Sequence, residues 1–147
     1  MNLRQDWSGA YLPIGARTWR ALDVDLVLQL RLARWRRRSG LRIPARGSIR
    51  APGLAATKAL SGMVGIGRSG VTCEARFDGD DGRPYLLRSE SALRVPPTIA
   101  GWCTLRGAIW LEPRGAPGAF ACASRERELL ALARIRFDLR RDLLRWS

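Results

Sequence analysis

Apolar and polar residues alternate with a period of two along much of this chain. From Val24 the even positions Val24, Leu26, Leu28, Leu30 and Leu32 are apolar, and Asp23, Asp25, Gln29 and Arg31 stand between them. That is the pattern of a half-buried strand, whereas a helix over the same residues would be apolar on every side. The basic run Trp35-Arg36-Arg37-Arg38 then reaches Ser39-Gly40, a stop signal. Pro44, Gly47, Pro52 and Gly53 punctuate the next stretch, leaving a short strand at Ser48 to Arg50, and Ala55 to Leu60 predicts one or two helical turns.

The clearest unit is a hairpin over Val71 to Val95. Val71, Cys73, Ala75 and Phe77 alternate with Thr72, Glu74 and Arg76. Asp78-Gly79-Asp80-Asp81-Gly82 supplies residues that tolerate positive φ, and Pro84-Tyr85-Leu86-Leu87 begins the return strand. A third alternating run, Trp102 to Leu111, puts Cys103, Leu105, Gly107, Ile109 and Leu111 on one face and Trp102, Thr104, Arg106, Ala108 and Trp110 on the other. Both faces carry apolar side chains, which predicts a strand covered twice.

The C-terminal segment reads in two ways. Glu126 to Trp146 forms either one amphipathic helix with a Leu132, Ile135, Leu139, Leu143, Trp146 stripe, or a strand ending at Ile135-Arg136-Phe137 followed by a helix that Asp138 caps. An echo between Leu30-Arg31-Leu32 and Ile135-Arg136-Phe137 favours the second and suggests two similar sheet halves.

The chain has 147 residues and is 46% hydrophobic, the size and composition of one folded domain. Charge is its most uneven property. The net charge is +13, from 26 basic and 13 acidic residues, and between Asp25 and Glu74 there is no acid at all. Positions 26–73 carry Arg31, Arg34, Arg36, Arg37, Arg38, Arg42, Arg46, Arg50, Lys58 and Arg68. That segment alone is +10, leaving +3 elsewhere (13 − 10). Such a local field points to a polyanion or an anionic membrane as partner. Arg34, Arg36, Arg37, Arg38, Arg42, Arg46 and Arg50 are the candidate anion-docking residues. The N-terminus has no apolar leader and no stretch is apolar enough to form a spanning helix, so the expected location is the cytoplasm, at most peripheral to a membrane.

Catalytic chemistry finds little support. The chain has no histidine, which removes imidazole acid/base work and His-ligated metals. Cys73, Cys103 and Cys122 show no C-x-x-C spacing and read as reduced, buried small hydrophobes. Gly65-Ile66-Gly67-Arg68-Ser69-Gly70 matches G-x-G-x-x-G in letters, but a strand rather than a helix is predicted after it, so it reads as an inter-strand loop. Asp78-Gly79-Asp80-Asp81-Gly82 resembles the start of a calcium loop, yet Gly82 occupies a ligand position and Ser89 stands where the closing Glu belongs, so it reads as a turn. Glu74 and Glu90 either face one another across the hairpin, as a carboxylate pair would need, or pair with Arg76 and Arg88 on an outer face, and the second is the expectation. No catalytic residue, metal site or cofactor is assigned.

Trp7-Ser8-Gly9-Ala10-Tyr11, the strand Asp25 to Leu32, the segment Gly47 to Leu54, Gly62-Met63-Val64, Arg76 to Leu87, and the closing Ala133-Arg134-Ile135-Arg136-Phe137 succeed one another in an order that resembles the accessory domain beside glucose-methanol-choline oxidoreductases of the cholesterol oxidase kind. The chain departs from that pattern at Ser89 and Ser91, where a Gly and a Lys are expected, and has only Thr104 where the pattern is Thr-rich. The resemblance implies a mostly β, barrel-like domain without the flavin site, in a setting of sterol or other lipid metabolism.

The expected fold is therefore mostly β: an antiparallel barrel or strongly curved sheet, lipocalin-like in size, with one or two short helices, one of them C-terminal. The expected role is a non-enzymatic accessory or binding module. An apolar ligand such as a lipid or sterol would be lined by Leu28, Leu30, Phe77, Tyr85, Leu87, Cys103 and Leu105. Partners would be an anionic membrane surface or an oxidoreductase. The alternative is a basic nucleic-acid-binding protein using Arg34 to Arg50 on phosphates.

Overall fold

A computed structural model of the chain describes residues 2–38, 40–68, 70–91, 104–112 and 128–137. Nine strands occupy most of them: β1 (Asn2–Pro13), β2 (Arg20–Gln29), β3 (Arg34–Arg36), β4 (Gly40–Ala51), β5 (Ala55–Gly67), β6 (Gly70–Asp78), β7 (Pro84–Ser91), β8 (Thr104–Leu111) and β9 (Glu128–Phe137). Strands make up 79% of the described residues, and a single 3₁₀ turn, Leu30–Leu32, is the one helical element among them.

Every strand pairing is antiparallel, in the order β2-β1-β9-β8-β7-β6-β5-β4-β3, and β2 also pairs with β4. That last pairing closes eight strands into a barrel and leaves β3 as an extra strand on the start of β4. The register is strongly staggered. Tracing partners from Leu26 through Gly47, Leu60, Phe77, Tyr85 and Leu111 leads to Glu128, beyond the level of Pro13 on β1, although the direct β1 partner of Leu26 is Gln5. Such a stagger is what inclined strands need in order to close.

Period-two alternation decides what fills the barrel. Leu22, Val24, Leu26 and Leu28 on β2, Val71, Cys73, Ala75 and Phe77 on β6, and Leu105 and Ile109 on β8 all point inward and are buried in one core cluster. Fully burying each large aliphatic side chain stabilises the fold by about 1.5–3 kcal/mol. Inward positions are glycine where a neighbouring strand presses in. A Cβ at Gly47 would meet the Asp25 carbonyl, and one at Gly62 would lie 2.6 Å from the Cα of Ala75.

Several local expectations are corrected. Ala55 to Leu60 is not helical but opens β5, because closure gives β5 partners on both edges, and that outweighs a weak local preference. The short strand at Ser48 to Arg50 is the end of a twelve-residue β4. Pro44 is accommodated where β4 changes partner, between Ala45, paired with β2, and Arg42, paired with β3. The strand from Val24 stops at Gln29, so Leu30–Leu32 turns as a 3₁₀ element and Leu32 becomes exposed. Ile135, by contrast, lies inside β9, so the two segments that echo each other in sequence are not structural equivalents. Of the two C-terminal readings, the strand through Ile135-Arg136-Phe137 is found. Residues 138–147, including the expected capped helix, lie outside the described residues, as do Ala92 to Val95, Trp102, Cys103 and Cys122.

Candidate functional site: a basic end and an outer-wall recess

Strand direction alternates, so successive connections fall at opposite ends of the barrel. The described connecting residues 30–33, 37–38 and 68 share one end, together with the β3–β4 ribbon, while 14–19, 52–54 and 79–83 share the other. The first group carries Arg31, Arg37, Arg38 and Arg68, with Arg34 and Arg36 on the ribbon, and no acid. Within the acid-free segment the opposite turn is Pro52-Gly53-Leu54, which has no charge. Alternation of direction thus gathers scattered arginines at one end. All of these arginines are exposed, as is Arg42. None of them forms an ion pair among the described residues.

The other two docking candidates are placed differently. Arg46 and Arg50 run along the outer wall of β4 away from that end, and Arg50 lies 3.6 Å from Asp23. The basic end therefore unites Arg34, Arg36, Arg37, Arg38 and Arg42 and adds Arg31 and Arg68.

Trp35 and Leu32 complete this end. Trp35 is 72% exposed and Leu32 57%, the most exposed tryptophan and leucine among the described residues. On the β3–β4 ribbon Trp35 is paired with Leu41, which is paired with Ile66, and both are half-buried against the core. Arg34, Arg36 and Arg42 occupy the opposite parity. The ribbon is consequently apolar on the side that continues the barrel interior and basic on the other.

The interior candidates sit in the core. Leu28, Phe77, Tyr85, Leu87 and Leu105 are buried, and Leu30 is partly buried against them from the 3₁₀ turn rather than from a strand. Cys103 lies outside the described residues. Phe77 stacks on Tyr85 with ring centroids 5.6 Å apart. Leu87 and Leu105 are 0% accessible, so neither borders a void wide enough for a water molecule. Three of the buried residues among those described are polar. Trp7 Nε1 donates to Gln5 Oε1 at 3.3 Å, and Ser91 Oγ accepts from the Val71 backbone N–H at 2.8 Å, but Ser89 Oγ has no partner.

At the far end the polar hairpin turn acts as a latch. Asp80 N donates to the Leu54 carbonyl at 2.9 Å, and Asp80 Oδ1 accepts from Ala56 N at 3.0 Å. Asp81 accepts from the Tyr85 hydroxyl at 2.6 Å and from Arg83 N at 3.0 Å, which holds its carboxyl below the ordinary range. Burial, reinforced by that carboxylate, pushes the Tyr85 phenol up to about 12. The Tyr11 hydroxyl donates to the Pro52 carbonyl and ties β1 to the same end. These carboxylates are engaged in turn geometry, and no cluster of three metal-ligating side chains forms among the described residues. Burial, with Glu74 as a smaller cause, pushes the Cys73 thiol up to about 12, so at neutral pH it is a protonated core residue.

The outer wall of β4 to β8 carries a recess of about 530 Å³. Arg42, Met63, Thr72, Glu74, Arg88, Glu90, Arg106 and Trp110 line it. Glu74 faces Arg88 and Glu90 faces Arg106 in the strand register, so the two acids do not face each other, and neither forms the ion pair expected with Arg76 or Arg88; Arg76 pairs with Glu112 at 3.1 Å instead. Sequence reasoning identified Arg106 and Trp110 as one strand face. It did not foresee the recess, which depends on residues from five strands. Nor did it foresee the exposure of Leu32, because period-two parity assigned that residue to the core.

No protein-family model matches this chain, and neither a curated protein nor a solved structure is significantly similar to it.

Proposed function

We propose that this chain is a non-enzymatic β-barrel module that docks on an anionic lipid surface through its basic end. One observation carries the reading: Trp35, on the extra strand β3, and Leu32, in the 3₁₀ turn before it, stand exposed at an end with seven arginines that form no ion pair among the described residues. An arginine near an anionic bilayer contributes about 1 kcal/mol, and an amphipathic tryptophan suits the headgroup boundary. The exposed aliphatic Leu32 favours lipid over nucleic acid. It gains from apolar burial but offers a base neither a stacking plane nor a hydrogen bond. The same end would serve a partner domain of a lipid-acting oxidoreductase, the setting that the family resemblance implies.

Co-sedimentation with vesicles tests this directly. Vesicles containing phosphatidylserine should retain the protein at low salt and release it as ionic strength rises, pure phosphatidylcholine vesicles should retain little, and Trp35→Ala with Leu32→Ala should weaken retention. Absence of binding to phosphatidylserine vesicles at low salt refutes the proposal. Preferential binding of a single-stranded oligonucleotide that competes the protein off vesicles replaces it with the nucleic-acid reading.

A further inference from the structure

The recess on the outer wall shares Arg42 with the basic end, but its other lining residues come from β5 to β8. Gly65, Thr72 and Ala108 are among its lining residues. A Cβ at Gly65 would lie 2.5 Å from the Thr72 hydroxyl, which would have to turn aside. Arg88 on β7 is paired with Ala108 on β8, and Ala108 separates Arg106 from Trp110 along β8. Arg88 is therefore the diagonal neighbour of both, about 7–8 Å from each. A carboxylate above the Ala108 methyl would meet two guanidinium groups, and an attached ring would meet the half-buried indole of Trp110.

The acids of the recess set the charge it prefers. Glu74 faces Arg88 and Arg106 faces Glu90 in register, yet neither couple forms an ion pair, and Arg88 and Arg106 have none among the described residues. Arg42, Arg88 and Arg106 against Glu74 and Glu90 give a local charge of +1 (3 − 2). A single negative charge balances that sum, and a dianion would leave the site net negative beside two carboxylates. The volume falls within the range of small-molecule sites, roughly 300–1,000 Å³. We infer that this recess binds a small aromatic monocarboxylate, with the carboxylate held between Arg88 and Arg106 and the ring against Trp110.

Phenylacetate and indole-3-acetate are suitable probes, titrated into ¹⁵N-labelled protein up to about 10 mM, where a ligand of about ten heavy atoms with ordinary efficiency is more than half bound. Expected are shifts concentrated at the amides of 86–90 and 106–110 and at the Trp110 indole N–H. Arg88→Gln with Arg106→Gln should weaken binding at least tenfold, whereas Arg34→Gln with Arg36→Gln on the ribbon should leave it unchanged. Phenyl phosphate should bind more weakly than phenylacetate. The inference is overturned if neither carboxylate shifts these amides, if the Arg88/Arg106 double variant binds as well as the parent, or if phenyl phosphate binds more tightly. The charge substitutions lie on an exposed face and do not touch the core, and an unchanged melting temperature separates loss of binding from loss of fold.

Discussion

Two buried serines on one face of β7 should respond to the same substitution with opposite signs. Ser89 and Ser91 both point into the barrel and are 2% and 5% exposed. Ser91 Oγ accepts from the Val71 N–H, whereas Ser89 Oγ is without a partner. Ser89→Ala removes a hydroxyl that was desolvated without compensation, and since alanine fills nearly the same space it should stabilise the barrel by about 1–2 kcal/mol. Ser91→Ala strands the buried Val71 N–H and should cost about 1–3 kcal/mol. In a domain of this size each kcal/mol moves Tm by about 4 °C. Ser89→Ala should therefore raise Tm by roughly 4–8 °C, and Ser91→Ala should lower it by roughly 4–12 °C. Thermal melts monitored by circular dichroism, with urea titrations of equal slope, measure both. A fall in Tm for Ser89→Ala refutes the reasoning, because it means that the hydroxyl is bonded in solution, as it would be by a buried water.

Burial and close strand contact have further measurable consequences. Cys73 should resist iodoacetamide at pH 8.5 in the native protein and react in urea, which peptide mapping distinguishes from Cys103 and Cys122; modification at the native rate of an exposed thiol would contradict its burial. Because folding raises this thiol from an ordinary 9.0 to about 12, the folded state holds the proton more tightly, so its contribution to stability is complete below about pH 9 and fades as pH climbs toward 12. Asp81→Asn should lower the Tyr85 phenol from about 12 yet leave it above 10, since burial is the larger cause; ultraviolet titration against Tyr85→Phe reads the shift, and a return to 10 would reverse that ranking. Gly47→Ala should cost at least about 1–3 kcal/mol in urea unfolding, since its Cβ would collide with the Asp25 carbonyl of the paired strand, and a neutral effect would mean that β2 and β4 do not approach so closely.

Inward and outward parity was legible wherever alternation was clean. Val24, Leu26 and Leu28, the run Val71 to Phe77, and Leu105 to Ile109 all point as their period says. The hairpin turn was legible for the same kind of reason, because Asp and Gly residues encode local geometry. β4 and β5 were not. Pro44 and Gly47 read locally as breakers and Gly65 as the start of a loop, whereas the structure has a change of partner at Pro44, a backbone pressing in at Gly47, and Gly65 inside β5 beside the Thr72 hydroxyl.

For the candidate sites the division is sharper. By itself the sequence determined that acids are missing from 26–73, that the arginines there are numerous, and that Arg106 and Trp110 share a strand face, because these are properties of composition and of a two-residue period. Only the tertiary structure decided which arginines act together. Reversal of strand direction sends the described residues 30–38 and 68 to one end and leaves Arg46 and Arg50 on the wall, and the end of β2 at Gln29 turns Leu32 outward beside Trp35. The recess, too, exists only through register, since Arg88 comes to lie between Arg106 and Trp110 when β7 pairs with β8. A period of two fixes the side to which a residue points, but its neighbours are fixed by closure of the barrel, which brings together residues far apart in the chain.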